Sequence, residues 1–129
     1  MDRVWWRQYL EEAKQAFTGQ LVAPFAGLPG VSRAKFSTQL NSGAGAIALA
    51  AHLGARRIVL LGYDAQKTGG AAHWHGDHPQ GLGNAGAVGK WPGQFADLAK
   101  SLAGVEIINA SRESALRCWP RMTLEEALT

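Results

Sequence analysis

Residues 41–62 decide the fold, and they read NSGAGAIALAAHLGARRIVLLG. The segment from Asn41 to about Leu53 has the spacing of a helix, and Gly54 ends it. Four small or branched apolar residues share one face of that helix: Ala44, Ile47, Ala48 and Ala51. Residues 57–62 then form a continuous apolar run, which is typical of a parallel strand buried on both faces. A helix, a tight glycine turn and a buried strand together predict half of an α/β unit.

A second unit of the same kind follows nearer the C-terminus. Pro92 stands at the start of a predicted helix, where its missing N–H costs nothing, and Gly104 ends that helix. Its apolar face has the i, i+3, i+4, i+7 spacing: Phe95, Leu98, Ala99 and Leu102. The next strand covers 105–109, so we expect 58–61 and 105–108 to share a parallel sheet through a right-handed crossover, directly or with one strand between them. The fold class predicted for residues 1–129 is one Rossmann-like, three-layer α/β/α domain with a small, mainly parallel sheet.

The N-terminal third does not show the usual beginning of such a sheet. Residues 2–17 predict a helix with one apolar face, which Trp5 and Tyr9 widen. The face itself consists of Trp6, Leu10, Ala13 and Phe17. Because a doubly wound sheet normally opens on a buried strand and a glycine-rich turn, either the domain is minimal and dimerises, or the chain lacks an N-terminal segment. In the first case the aromatic helix is the expected homo-oligomer interface.

Four shorter segments complete the prediction. Residues 20–23 and 31–36 are possible strands, and the loop between them is too short for a helical crossover, so they are not expected to be neighbouring parallel strands. Residues 111–116 suggest a turn of helix. Thr123 and Glu126 have the spacing of a capping box at the start of a short final helix.

Composition and charge restrict the class of protein. The chain has 129 residues, a formal net charge of +3 and one cysteine, Cys118, so it contains no internal disulfide and suits a reducing compartment. It has no membrane-length apolar run and no signal-peptide pattern, which predicts a cytoplasmic protein with no membrane partner. Nucleic acid is not the expected partner either, because the sequence has no run of lysine and arginine and no basic helix stripe.

The first candidate site is the start of the helix at Asn41, Ser42 and Gly43. A helix N-terminus carries free backbone N–H groups and a positive dipole end, and glycine lets a phosphate approach them closely. Ser42 would cap the helix or donate to the phosphate. The alternative is that Ser42 is only an N-cap and that the glycines serve tight packing between helix and sheet.

The second candidate site lies in the glycine-rich segment 63–91, which has no periodicity and follows the carboxyl end of the best strand. Open α/β sheets place their ligands there. His73, His75 and Asp77 share one side of an extended segment and could hold Zn²⁺ with an open position, as in a metal-dependent hydrolase. Alternatively His73, His75 or His78 acts as a general base, or the histidines only hydrogen-bond the loop together. Asp64, at the end of the strand, suits a ribose hydroxyl, a metal ion or the turn backbone.

Residues 41–66, NSGAGAIALAAHLGARRIVLLGYDAQ, resemble the bacterial sialyltransferase group and the related hydroxymethylpterin pyrophosphokinase-like family. Short phage and prophage proteins of unknown role look similar over most of the chain, including His73–Pro79 and Asn109-Ala110-Ser111. The resemblance implies a Ser-Gly helix start that contacts a nucleotide, and a Gly-x-Asp strand end that serves the phosphate or the acceptor. Those positions are Ser42, Gly43, Tyr63 and Asp64.

Three functions follow as hypotheses. The first is a domain that binds a phosphorylated small molecule, a nucleotide or nucleotide-sugar, and is related to glycosyl or pyrophosphoryl transferases. The second is the zinc hydrolase, and the third is a non-catalytic phage assembly or binding module.

Overall fold

The chain is described by a computed structural model that covers residues 3–38, 41–71, 76–79 and 81–129. Over these ranges it is a mixed α/β protein with four α-helices and two small parallel sheets. The helices are α1 (Arg3–Ala16), α2 (Ser42–His52), α3 (Trp91–Ser101) and α4 (Leu124–Ala127). The strands are β1 (Val22–Ala23), β2 (Ser32–Arg33), β3 (Arg57–Leu60) and β4 (Glu106–Asn109). None of the helices in the described part of the chain is both long and apolar enough to span a bilayer.

The parallel pair β3–β4 forms the centre of the molecule. The two strands are direct neighbours, with Ile58 opposite Ile107 and Leu60 opposite Asn109, which confirms the predicted pairing. Paired residues of parallel strands point to the same face, and here that face packs on α2 and α3. The buried cluster consists of Ala44, Ile47, Ala48, Leu60, Phe95, Leu98, Ile107 and Leu116.

The opposite face of β3 is less covered than the apolar run predicts. The strand ends at Leu60, and Leu61 is 56% exposed. Val59, which shares that face, is half-buried. Within β3 only Leu60 is fully buried, while Ile58 and Val59 are half-buried, so the strand is not covered on both faces as the apolar run predicts.

The residue that caps the start of helix α2 is Asn41, one position before the serine that the sequence analysis considered as the cap. Asn41 is the N-cap: its backbone is extended, and its Oδ1 accepts from the Ala44 N–H at 3.2 Å. Ser42 is therefore the first residue of the helix and not its cap, which corrects that interpretation. An asparagine carbonyl reaches the third amide of a helix as readily as a serine hydroxyl does, and the sequence alone did not separate the two.

The small sheet β1–β2 contradicts a prediction. Val22 pairs with Ser32 and Ala23 with Arg33 in parallel, although these pieces were not expected to be parallel neighbours. The crossover rule applies to strands of ordinary length, whereas a two-residue strand spans only about 7 Å. The loop 24–31 is long enough to bring the chain back over that distance.

Residues 111–116 are not helical, because their polar groups are bonded elsewhere. The Tyr63 N–H donates to Ser111 Oγ at 2.8 Å, and Ser114 Oγ donates to the Tyr63 carbonyl at 2.6 Å. Buried Asn109 joins them: its Oδ1 accepts from the Ser111 N–H at 3.0 Å and its Nδ2 donates to Ser114 Oγ at 2.9 Å. Such side-chain bonds compete with helix formation. We call these four residues the Asn109 network.

The capping box at α4 is present as predicted. Thr123 Oγ1 accepts from the Glu126 N–H at 3.2 Å, and Glu126 Oε2 accepts from the Thr123 N–H at 2.9 Å. The bonds from the backbone and side chain of Thr123 hold the pKa of the Glu126 carboxyl below its ordinary value. The helix ends against the body of the protein, where Ala127 is buried.

Replacement of Asn109 should strongly destabilise the protein. Asn109→Ala leaves the buried Ser111 N–H without its acceptor and opens a void, so we expect a loss of about 2–4 kcal/mol in the free energy of unfolding. Urea denaturation measures this loss. The control is Ser101→Ala, at an exposed residue of α3, which should change the free energy by less than about 0.5 kcal/mol. Equal effects of the two substitutions would contradict the role of the network.

The lowered pKa of Glu126 gives a second test. Thr123→Ala removes the hydroxyl bond to the carboxylate, so the Glu126 pKa should rise towards its ordinary value, whereas Thr123→Ser should keep it low. Because the folded pKa is depressed, this contribution to stability is present above the ordinary pKa and is lost as the pH falls through the folded one. NMR titration of the Glu126 side chain measures the pKa in each variant, and equal values in all three would refute the assignment.

Candidate functional site

A cavity of about 640 Å³, here called the site cavity, opens at the carboxyl end of β3. The start of α2 forms one wall, the residues after β3 form another, and the start of α3 contributes aromatic rings. Residues of the segment 78–87 and of the N-terminal part of the chain complete it. The lining residues are Arg3, Thr38, Asn41, Ser42, Gly43, Gly62, Tyr63, Asp64, Ala65, His78, Gly83, Asn84, Ala85, Ala87, Trp91 and Phe95.

The structure brings several candidates from the sequence to this cavity. Six of them line it: Asn41, Ser42, Gly43, Tyr63, Asp64 and His78. Asp77 is exposed and does not line it. His73 and His75 lie outside the described residues, so their predicted catalytic and metal-binding roles remain predictions.

The first turn of α2 presents two amide groups at the cavity wall. The Ala44 N–H is bonded to the side chain of Asn41, and the Gly45 N–H donates to the Asn41 carbonyl at 2.9 Å. The N–H groups of Ser42 and Gly43 have no acceptor among the residues that the structure describes. As the first residues of an 11-residue helix, they lie at its positive dipole end.

Tyr63 connects the end of β3 to the start of α2. The chain turns at Gly62, whose φ of 71° suits glycine, and the Tyr63 hydroxyl donates to the Gly43 carbonyl at 3.2 Å. The tyrosine ring packs edge-on against Phe95, with 5.9 Å between the ring centroids. Burial raises the pKa of the Tyr63 phenol, so the hydroxyl keeps its proton at neutral pH and remains a donor.

Gly43 is closely packed against two aromatic rings. A Cβ at this position would lie 3.1 Å from Cε1 of Tyr63 and 3.3 Å from Cζ of Phe95. Phe95 belongs to the buried cluster and Tyr63 packs against it, so their rings have little freedom to move away. The absence of a side chain at position 43 therefore serves the close approach of α2 to two rings, which is the packing alternative considered from the sequence.

Asp64 is the carboxylate of the cavity wall. Its Oδ2 accepts from the Thr68 hydroxyl at 3.0 Å, and its backbone carbonyl accepts from the Ala115 N–H at 2.7 Å. The next residue, Ala65, has a φ of 51°, a left-handed conformation that is uncommon for alanine. Backbone of this kind is found at ligand sites more often than elsewhere.

His78 is fixed within its own loop. Its backbone N–H donates to Asn84 Oδ1 at 2.7 Å, and its ring Nδ1 lies 2.9 Å from the Gly83 carbonyl. Because a carbonyl only accepts, Nδ1 carries the hydrogen, and in the neutral ring Nε2 is the acceptor nitrogen. His78 therefore has the loop-closing role that the sequence suggested as one alternative.

Among the wall residues that sequence reasoning did not name as candidates are Arg3, Trp91 and Phe95. Arg3 was assigned to the polar face of the first helix, but its guanidinium lies 4.1 Å above the Phe25 ring and its side chain reaches the cavity. Among the lining residues it is the one with a permanent positive charge. Trp91 was the last residue of the glycine-rich segment 63–91 and was not named as a site residue, and Phe95 was assigned to a core face. Their position after a strand-to-helix loop is a signal that could have indicated the wall.

The zinc hypothesis gains no support from the described residues. In those ranges no group of three histidine, cysteine, aspartate or glutamate side chains is placed to hold a metal ion. The proposed ligands His73 and His75 lie outside them, so the metal site stays a prediction.

Comparison with known proteins returns no match: the sequence fits no protein family, and no curated protein or solved structure is significantly similar to it. The resemblance of residues 41–66 to the sialyltransferase and pyrophosphokinase-like groups therefore stays a prediction.

The packing role of Gly43 can be tested directly. Gly43→Ala places a methyl group against the Tyr63 and Phe95 rings, and we expect it to lower the free energy of unfolding by about 1–3 kcal/mol. The matched control is Gly93→Ala, near the start of α3, where an added Cβ meets no described atom within 4 Å. That change should leave stability unchanged or raise it by up to about 1 kcal/mol. Chemical denaturation of both variants measures the difference, and a neutral Gly43→Ala would show that the rings can give way.

Proposed function

We propose that this chain binds a phosphorylated small molecule of the nucleotide or nucleotide-sugar kind in the site cavity. One observation carries the proposal: the amides of Ser42 and Gly43, which have no acceptor among the described residues, lie with the Arg3 guanidinium and the carboxyl end of β3 in the wall of one cavity. Its volume, about 640 Å³, is in the range of small-molecule sites.

The phosphate would bind at the start of α2. A helix N-terminus offers backbone donors and a positive potential to an anion, and the exposed hydroxyl of Ser42 adds a donor. Arg3 would supply the full positive charge, since a guanidinium donates several bonds to a phosphate at once. Its stacking on Phe25 limits the freedom that it would lose on binding.

The carboxylate of Asp64 would bind hydroxyl groups of the same ligand. A carboxylate repels phosphate but accepts hydrogen bonds from sugar hydroxyls, so the charges of Arg3 and Asp64 favour a ligand with both groups. Asp64 follows β3 at the place where open α/β sheets hold the ribose of a nucleotide. This arrangement supports a minimal domain of Rossmann-like kind, in which β3, β4, α2 and α3 form the ligand-binding half.

A transfer reaction would need a base for the acceptor. His78 lines the cavity, and the hydrogen bond between its Nδ1 and the Gly83 carbonyl orients the imidazole ring. In a glycosyl or pyrophosphoryl transferase His78 would accept the proton of the attacking hydroxyl.

Binding can be tested by isothermal titration with CMP-, UDP- and ATP-type ligands. We expect at least one to bind, and Arg3→Gln to weaken it about 10-fold or more through loss of a charge-assisted bond. The control is Arg33→Gln, at an exposed arginine of β2 that lies outside the site cavity and should have little effect. Absence of binding by all three ligand types, or equal effects of the two substitutions, would reject the proposal.

A further inference from the structure

A second cavity, of about 520 Å³, lies beside the first and is dominated by aromatic side chains of α1. We call it the aromatic pocket. Its lining residues are Trp5, Trp6, Tyr9, Val22, Ser42, His78, Pro79, Leu82 and Gly83. Three of these, Ser42, His78 and Gly83, also line the site cavity. The two cavities therefore meet at the first residue of α2, where we place the phosphate.

The aromatic rings of this pocket form a continuous wall. The centroids of Trp5 and Trp6 are 5.2 Å apart with their planes nearly perpendicular, and those of Trp5 and Tyr9 are 5.6 Å apart. Edge-on packing of one ring against another fixes its orientation and leaves a face available for a ligand. Aromatic faces of this kind bind flat rings by stacking.

Burial in the hydrophobic core does not explain the positions of all three rings. Of the residues of α1, only Trp6 is buried, while Trp5 is 38% exposed and Tyr9 is half-buried. An exposed tryptophan next to a second aromatic residue costs solubility without adding to the hydrophobic core. A ligand that covers the wall would explain why two of its three rings are left partly open.

We propose that the aromatic pocket binds the planar ring of the same ligand whose phosphate lies at the start of α2. This inference rests on the proposed function and adds to it the place where the flat, aromatic ring of a nucleoside phosphate binds. Ser42, which both cavities share, marks the place where the ring subsite and the phosphate site meet. Trp5 and Tyr9 stack on the ring, and Arg3 and the amides of α2 hold the phosphate.

The test compares three probes that carry different parts of such a ligand: AMP, ribose 5-phosphate and adenosine. Each is titrated into the full-length protein, into Trp5→Ala and into Phe17→Ala. Phe17 is a matched control, since it is an exposed aromatic residue that follows α1 and lies outside both cavities. Circular dichroism establishes that the variants keep their helix content.

We expect AMP to bind at least 10-fold more tightly than ribose 5-phosphate, in line with base stacking worth about 1–3 kcal/mol. Trp5→Ala should remove this difference and leave the affinity for ribose 5-phosphate unchanged, while Phe17→Ala should change neither affinity. AMP binding should also quench the tryptophan fluorescence of the wild-type protein more than ribose 5-phosphate does.

Other outcomes separate this inference from the proposed function. Equal binding of AMP and ribose 5-phosphate would overturn the ring subsite and leave the phosphate site standing. Binding of adenosine that is lost in Trp5→Ala, with no added affinity from the phosphate of AMP, would overturn the phosphate site and keep the ring subsite. If Trp5→Ala instead converts a dimer to a monomer in analytical ultracentrifugation without changing AMP affinity, the wall is an interface between two copies and the inference is wrong.

Discussion

The Asn109 network is the interaction on which the rest of the site depends. Asn109 is fully buried at the end of β4, and it holds Ser111 and Ser114 in the positions where they bond both polar groups of the Tyr63 backbone. Tyr63 in turn packs on Phe95 and donates to the carbonyl of Gly43. A chain of contacts thus runs from β4 through the end of β3 to the start of α2, and it sets the separation of the two main walls of the site cavity.

Local sequence patterns were sufficient for the central part of the fold. The helix–turn–strand pattern of residues 41–62, the proline at the start of α3 and the capping box at Thr123 each depend on neighbours within a few positions, and each led to the observed element. The β1–β2 pairing and the bent segment 111–116 could not be predicted in the same way. The β1–β2 pairing was excluded by a crossover rule that does not hold for two-residue strands, and the segment 111–116 is shaped by its bonds to Tyr63, a distant partner that local spacing does not encode.

The candidate site was predictable where it follows from topology. The carboxyl end of a parallel strand and the start of the preceding helix were expected to be near each other, and Asp64 and Ser42 line the same cavity. Arg3 and Phe95 were not expected there, because only tertiary packing brings the polar face of α1 and the apolar face of α3 to the same cavity. The role of Gly43 also depends on its contacts in the folded chain, since the sequence cannot distinguish a glycine that admits a ligand from one that admits an aromatic ring.

The close fit at Gly43 has a consequence for how related chains can diverge. A side chain at position 43 requires the ring at position 63 or 95 to shift or to become smaller, because a Cβ there would lie 3.1 Å from the Tyr63 ring and 3.3 Å from the Phe95 ring. Substitutions at these three positions should therefore be correlated in any lineage that keeps this architecture, with a larger residue at one accompanied by a smaller one at another. A lineage that lost Tyr63 would be released from this constraint and would lose its link between strand end and helix start at the same time.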